Sequence, residues 1–91
     1  VYFVAVSPHN YNSPTVGLAA TLQAAATMPN FIITEYFVNL EPWGQQVADP
    51  AFEVVDSHIT LSDRPGLGID LDEATLAASP YQVFPQRSLG D

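Results

Sequence analysis

Cysteine is missing from this chain, which excludes a disulfide framework and any thiolate-held metal; it leaves the redox compartment undetermined but fits an intracellular protein, expected to be cytoplasmic. Basic residues are nearly as scarce: Arg64 and Arg87 face ten acidic residues, for a formal charge of −8. A surface of that sign cannot neutralise a phosphate backbone, so nucleic acid is excluded as a partner. No apolar run approaches the roughly 18 to 20 residues of a membrane-spanning helix, and no basic-then-apolar signal opens the chain, so no membrane partner is expected. There is no internal repeat and no low-complexity tract. Histidine occurs twice, as His9 and His58.

What is present is 91 residues with 47% hydrophobic content. That suffices for one small domain burying about two thirds of its unfolded surface. The chain opens on Val1 directly in strand-like sequence and reads as a piece of something longer.

"VYFVAV", residues 1–6, is rich in β-branched and aromatic residues on both alternating faces, as in a parallel strand buried on both sides. Ser13-Pro14 reads as a helix N-cap followed by proline at the first helical position, so a helix is expected from about Pro14 to Met28, stopped by Pro29-Asn30. That helix carries no charged residue; its polar side chains are Thr15, Thr21, Gln23 and Thr27. Such a helix is expected to be buried all round, inside a compact α+β domain or between a barrel and a neighbouring subunit. "FIITEY", Phe31 to Tyr36, is a second strand-like run, and strand, helix, strand in this order is a βαβ unit with parallel strands and a right-handed crossover. Beyond it the pattern predicts a loop through Pro42, Gly44 and Pro50 and a hairpin from Phe52 to Leu61 turning at Asp56-Ser57. A turn-rich "SDRPGLGID", a short helix opened by Asp72 and Glu73, and an aperiodic tail follow.

Ligands of parallel α/β folds sit beyond the carboxyl ends of the strands. His9 ends the first strand, and Glu35, 26 positions on, lies near the end of the second. Neighbouring strands are about 4.8 Å apart, so an imidazole and a carboxylate can face one small substrate. Alone, His9 reads more readily as a hydrogen-bonded loop residue, beside Asn10 and Asn12 in ordinary turn chemistry, and Glu35 as a salt-bridging or capping group; it is the pair on successive strand ends that brings the catalytic reading level with the structural one. Other candidates are weaker. His58 falls in the hairpin turn and reads as structural. "GLG" follows a loop and opens no helix, so it fails as a dinucleotide motif. "DLDE" suits a helix start as well as a hard cation. Trp43 either packs or walls a pocket. No Ser/His/Asp set has the context of a nucleophile elbow.

"SPHNYNSPTVGLAATLQAAATMPNFIITEY" resembles the last βαβ unit of the mandelate racemase subgroup of the enolase superfamily, and "VVDSHITLSDRPGLGIDLDE" is similar to that family's closing segment. Within the subgroup, "PHN" followed by "SPTVGLAATLQ" is most similar to acid-sugar dehydratases, of the galactonate and gluconate type. The resemblance runs from about Ala5 to Glu73 and implies an α/β fold: the C-terminal portion of a (β/α)8 barrel with a separate α+β capping domain. Residues 1–40 would be the last two barrel strands with their helix, and residues 41–91 a closing segment that packs on the capping domain, its turn shaped by Pro65, Gly66 and Gly68. A barrel of about 250 residues cannot close within this length, so the chain alone is expected to be inactive.

The resemblance also implies a chemistry. In the family a magnesium ion binds the substrate carboxylate, a base removes the α-proton, and the enediolate is held by the metal and nearby donors. His9 matches the seventh-strand histidine, the general acid toward the departing β-hydroxyl in dehydratases and a base in racemases. Glu35 matches the eighth-strand glutamate, set against the substrate carboxylate, where it must be protonated or share a proton to donate a hydrogen bond. Asn10 and Tyr36, next to this pair, are assigned to substrate binding. The magnesium ligands and the histidine's partner aspartate are expected outside this segment, so no residue here is a metal ligand. The implied partners are a sugar acid, the remainder of the barrel with its capping domain, and further copies in a homo-oligomer. Two other readings stand beside the lyase: a racemase or epimerase, an isomerase of a 2-hydroxy acid on the same scaffold, and a small non-enzymatic α+β binding domain in which His9 and Glu35 are incidental.

Overall fold

The computed structural model describes residues 3–11, 13 and 15–85. Val1 and Tyr2 of the first predicted strand, Asn12, Pro14 and the end of the tail with Arg87 lie outside these residues.

The predicted parallel pairing is present but short. Val6 forms a parallel bridge with Phe31. The Val6 N–H donates to the Asn30 carbonyl at 2.9 Å, and the Ile32 N–H donates to the Val6 carbonyl at 3.0 Å. Two local features stop a longer ladder. Pro8 has no N–H to donate, and the Val4 carbonyl accepts from the Asn30 side-chain amide at 2.9 Å. A regular parallel ladder would next join the Thr34 N–H to Pro8; instead the Glu35 N–H donates to the Pro8 carbonyl at 3.1 Å. One extra residue is thereby accommodated between Ile32 and Glu35, a bulge of the kind that re-aims side chains beside active sites.

Helix α1 spans Val16–Ala25, shorter at both ends than the sequence suggests. Its N-cap position is Thr15 rather than Ser13, with no side-chain capping bond. At the other end the Thr27 hydroxyl donates to the Ala24 carbonyl at 2.7 Å, and Pro29 disfavours helical backbone at Met28. Leu18, Ala19 and Ala25 are buried on one stripe, while Val16 stays exposed, so this uncharged helix is covered on one side and not all round.

The loop expected after Tyr36 is mostly helical. A 3-10 turn, Val38–Leu40, leads into α2, Glu41–Val47. Pro42 falls in the first turn of α2, where no intrahelical donor is lost. The fully buried Val47 supplies the packing that outweighs the mid-helix Gly44. Trp43 therefore belongs to a helix.

Strand β1, Ala48–Asp49, pairs antiparallel with β4, Asp70–Leu71. Arg64 spans this ladder: its guanidinium donates to the Asp49 carbonyl at 3.3 Å and to the Asp70 carboxylate at 3.2 Å. The expected hairpin is β2, Val54–Val55, and β3, His58–Ile59. Asp56 and Ser57 both have positive φ, 48° and 62°, the geometry of a two-residue type I′ turn. His58 Nδ1 lies 2.6 Å from the Asp56 carbonyl, a structural contact as expected. Helix α3, Glu73–Ala77, is capped by Asp72, whose carboxylate accepts from the Thr75 N–H at 2.6 Å. The acidic "DLDE" is thus divided between an ion pair and a cap.

The molecule is a small α/β unit with short sheets whose buried apolar residues are Leu18, Ala19, Ala25, Val47 and Ala48. Its accessible surface is 7356 Å², against about 5,200 Å² for a compact monomer of this mass. Val4, Ile32, Ile33 and Val55, all strand-like apolar residues, are more than half exposed.

Candidate active site

The βαβ order brings the two predicted catalytic residues to one rim. His9 Nε2 stands 3.3 Å from Glu35 Oε2, with side chains 79% and 42% exposed. A pair so open to solvent contributes about 0–1 kcal/mol to stability, so the fold gains little from holding it there. The same Oε2 accepts the Asn10 backbone N–H at 2.9 Å. Among the described residues Glu35 Oε1 accepts no hydrogen bond and remains available to a ligand. The bulge matters here: the displaced register puts the Glu35 N–H on Pro8 and turns the carboxylate toward Asn10 and His9.

Tyr11 extends the rim. Its ring lies 6.4 Å from that of His9 and 4.6 Å from that of Phe37, tilted by 48° on the latter. Tyr36 departs to the other side, toward Glu41. Burial, followed by the charge and hydrogen bonding of Glu41, raises the Tyr36 phenol above its ordinary pKa.

Asn10 is 3% exposed. Its side-chain amide donates to the Thr34 hydroxyl at 2.9 Å and its carbonyl oxygen accepts from the Thr21 hydroxyl at 3.0 Å. The side chain is committed to the protein interior rather than presented beside His9. Asn10 and Tyr36 both line a small hollow of about 20 Å³, together with Leu18, Phe37 and Glu41, far too small for a sugar acid and not bounded by His9 or Glu35. The residues that sequence reasoning passed over are Thr21 and Thr34. One signal for Thr21 was available, a hydroxyl in a helix without charge; for Thr34 there was none, since strand alternation puts it on the face opposite Glu35.

Among the described residues no three carboxylate or imidazole groups gather closely enough to hold a metal ion. Among the described residues no helix is long and apolar enough to cross a membrane.

Residues 1–75 match the family described as enolase C-terminal domain-like. The chain belongs to that family. Among its relatives, a D-galactonate dehydratase family member of Streptomyces bingchenggensis is 39% identical over 83 residues, 90% of this chain and 20% of the relative. The D-xylonate dehydratase of Haloferax volcanii is 32% identical over 72 residues, covering 79% and 17%. The D-gluconate/D-galactonate dehydratase of Picrophilus torridus is 38% identical over 73 residues, covering 80% and 18%. The chain thus spans about a fifth of the length of the curated relatives it matches. No solved structure matches it.

Proposed function

We propose that this chain supplies the His9–Glu35 rim of an acid-sugar dehydratase, a hydro-lyase that converts an aldonic acid to a 2-keto-3-deoxy acid. The observation that carries the reading is the 3.3 Å approach of His9 Nε2 to Glu35 Oε2 on adjacent parallel strand ends. The names borne by the relatives, all sugar-acid dehydratases, favour it over the racemase and the binding domain.

On this reading Glu35 carries a proton on Oε1 and donates it as a hydrogen bond to the substrate carboxylate, while the Asn10 N–H holds Oε2 from behind. After the α-proton has left for a base outside the described residues, the enediolate collapses, the C–O bond at the β-carbon breaks, and His9 delivers its Nε2 proton to the departing hydroxyl, which leaves as water. The resulting enol tautomerises to the ketone. Loss of hydroxide needs a donor that titrates near neutrality, which an imidazole provides. The uncovered apolar strands and the large accessible surface support a unit completed by further barrel and capping elements. The substrate, the magnesium ligands and any homo-oligomeric contacts would be met in that larger cytoplasmic assembly.

The test is turnover by the full-length protein. It should form 2-keto-3-deoxy acids from aldonic acids, and His9→Asn should lower kcat by about 10²–10⁴ with the fold retained by circular dichroism. Recovery in deuterated water of an epimerised, undehydrated acid would replace the lyase with the racemase, and unchanged turnover in His9→Asn would remove His9 from the reaction.

A further inference from the structure

We propose that Asn10 is a positioning residue for the catalytic rim, acting through its backbone N–H on Glu35 and held in place by Thr34 and Thr21. The inference rests on the dehydratase reading for its kinetic consequence, but not for its geometry. Asn10 is the buried polar residue among the described ones. An asparagine needed for turn chemistry alone could stay in water; burying its amide is costly unless every polar atom finds a partner. Here the partners lie on three separate pieces of chain. The amide donates to Thr34 Oγ1 at 2.9 Å, immediately before Glu35. The side-chain oxygen takes the Thr21 hydroxyl of α1 at 3.0 Å, a hydroxyl also 2.9 Å from the Gly17 carbonyl. The Asn10 carbonyl accepts from the Ser13 N–H at 3.4 Å, closing the turn.

The consequence falls on the carboxylate. The Asn10 N–H donates to Oε2 of Glu35, and His9 Nε2 lies 3.3 Å from the same oxygen. That fixes the rotation of the carboxylate and leaves Oε1 pointing away from both. An exposed His9–Glu35 contact is too weak to hold this orientation itself, whereas a satisfied buried network is rigid. Asn10 thus joins first strand, helix and second strand at the point where the two reacting side chains emerge, and it does so without touching substrate.

The experiment uses the full-length protein and avoids Asn10→Ala, which risks the fold. Thr34→Val keeps the shape and removes the acceptor for the Asn10 amide; Thr34→Ser restores the hydroxyl. We expect Thr34→Val to lower kcat about tenfold with KM changed less than about twofold, and Thr34→Ser to recover most of that loss. Independently of turnover, selective ¹⁵N-asparagine labelling reads the Asn10 amide. Its proton should move upfield in Glu35→Gln and in Thr34→Val, and should hold its position in Thr34→Ser. If the wild type turns over no sugar acid, the dehydratase reading fails and the amide shifts alone decide the positioning role. A Thr34→Val protein that melts lower but keeps wild-type kcat, or an Asn10 amide indifferent to Glu35→Gln, overturns the proposal.

Discussion

Substituting alanine at Gly68 and at Gly66 should separate a steric from a purely conformational requirement within one turn. Both glycines have positive φ, 78° and 64°, and the Gly68 N–H donates to the Pro65 carbonyl at 3.2 Å to close the turn. A Cβ at Gly66 meets nothing within 4 Å, whereas one at Gly68 lies 2.9 Å from Ser62 Cβ and 3.0 Å from Ser62 Oγ. Left-handed backbone costs an L-residue about 1–2 kcal/mol, offset by about 0.4–1 kcal/mol from the stiffer unfolded chain. Gly66→Ala should therefore cost about 1 kcal/mol. Gly68→Ala adds an overpacking term of about 1–3 kcal/mol, because Ser62 cannot simply rotate away: its hydroxyl accepts the Arg64 N–H at 3.1 Å. The total is about 3 kcal/mol. The assay is native-state exchange of the Asp72 amide, which donates to the Val47 carbonyl at 2.7 Å beside the β1–β4 ladder. Protection should fall by roughly 100-fold in Gly68→Ala and by less than about tenfold in Gly66→Ala. Ser62→Gly, which removes the clashing Cβ, should show a coupling of about 2 kcal/mol with Gly68→Ala. Equal losses at the two glycines, or a coupling near zero, would refute the steric account.

Two further predictions concern titrating groups. The Thr75 N–H, and the side-chain contact with that residue, hold Asp72 below the usual carboxylate range. Stability from a depressed acid is present above its unfolded pKa and lost as pH falls through the folded one, so α3 amides should lose protection at acid pH in the wild type. Asp72→Ala should lose it at every pH, and a wild-type profile flat with pH would contradict the cap. Tyr36 is raised by burial and then by Glu41, so the stability that goes with its neutral form is present below the ordinary tyrosine pKa and lost as pH rises through the folded one. In ultraviolet difference titration against Tyr36→Phe, Glu41→Gln should bring the phenol part of the way back toward its ordinary value; an unmoved transition would exclude the Glu41 contribution.

The rim was legible in the sequence because His9 and Glu35 are related by one local βαβ unit, whose pairing follows from chain order alone. The Asp56-Ser57 hairpin and the α3 cap were legible for the same reason, since each is decided within a few residues. What escaped depends on partners distant in sequence or on a conflict of local signals. Pro42 and Gly44 read as loop punctuation until Val47, the last residue of α2, is seen buried. The β1–β4 ladder joins Ala48 to Leu71, and two-residue strands leave no alternation to read. Asn10 looked like a turn residue because nothing local shows that Thr21 and Thr34 close over it. The bulge before Glu35 follows from a proline on the neighbouring strand, which no reading of "FIITEY" by itself contains.

The compactness of the Asn10 network in sequence has a bearing on how the rim comes to exist. Asn10 and Glu35 are 25 positions apart, and closing a loop of that length costs about 3 kcal/mol of chain entropy beyond a constant. That is modest beside the long-range pairings a large parallel sheet demands, and contacts of low sequence separation form early. The geometry of the His9–Glu35 rim would thus be set by one short crossover as it folds, without waiting for contacts of greater sequence separation.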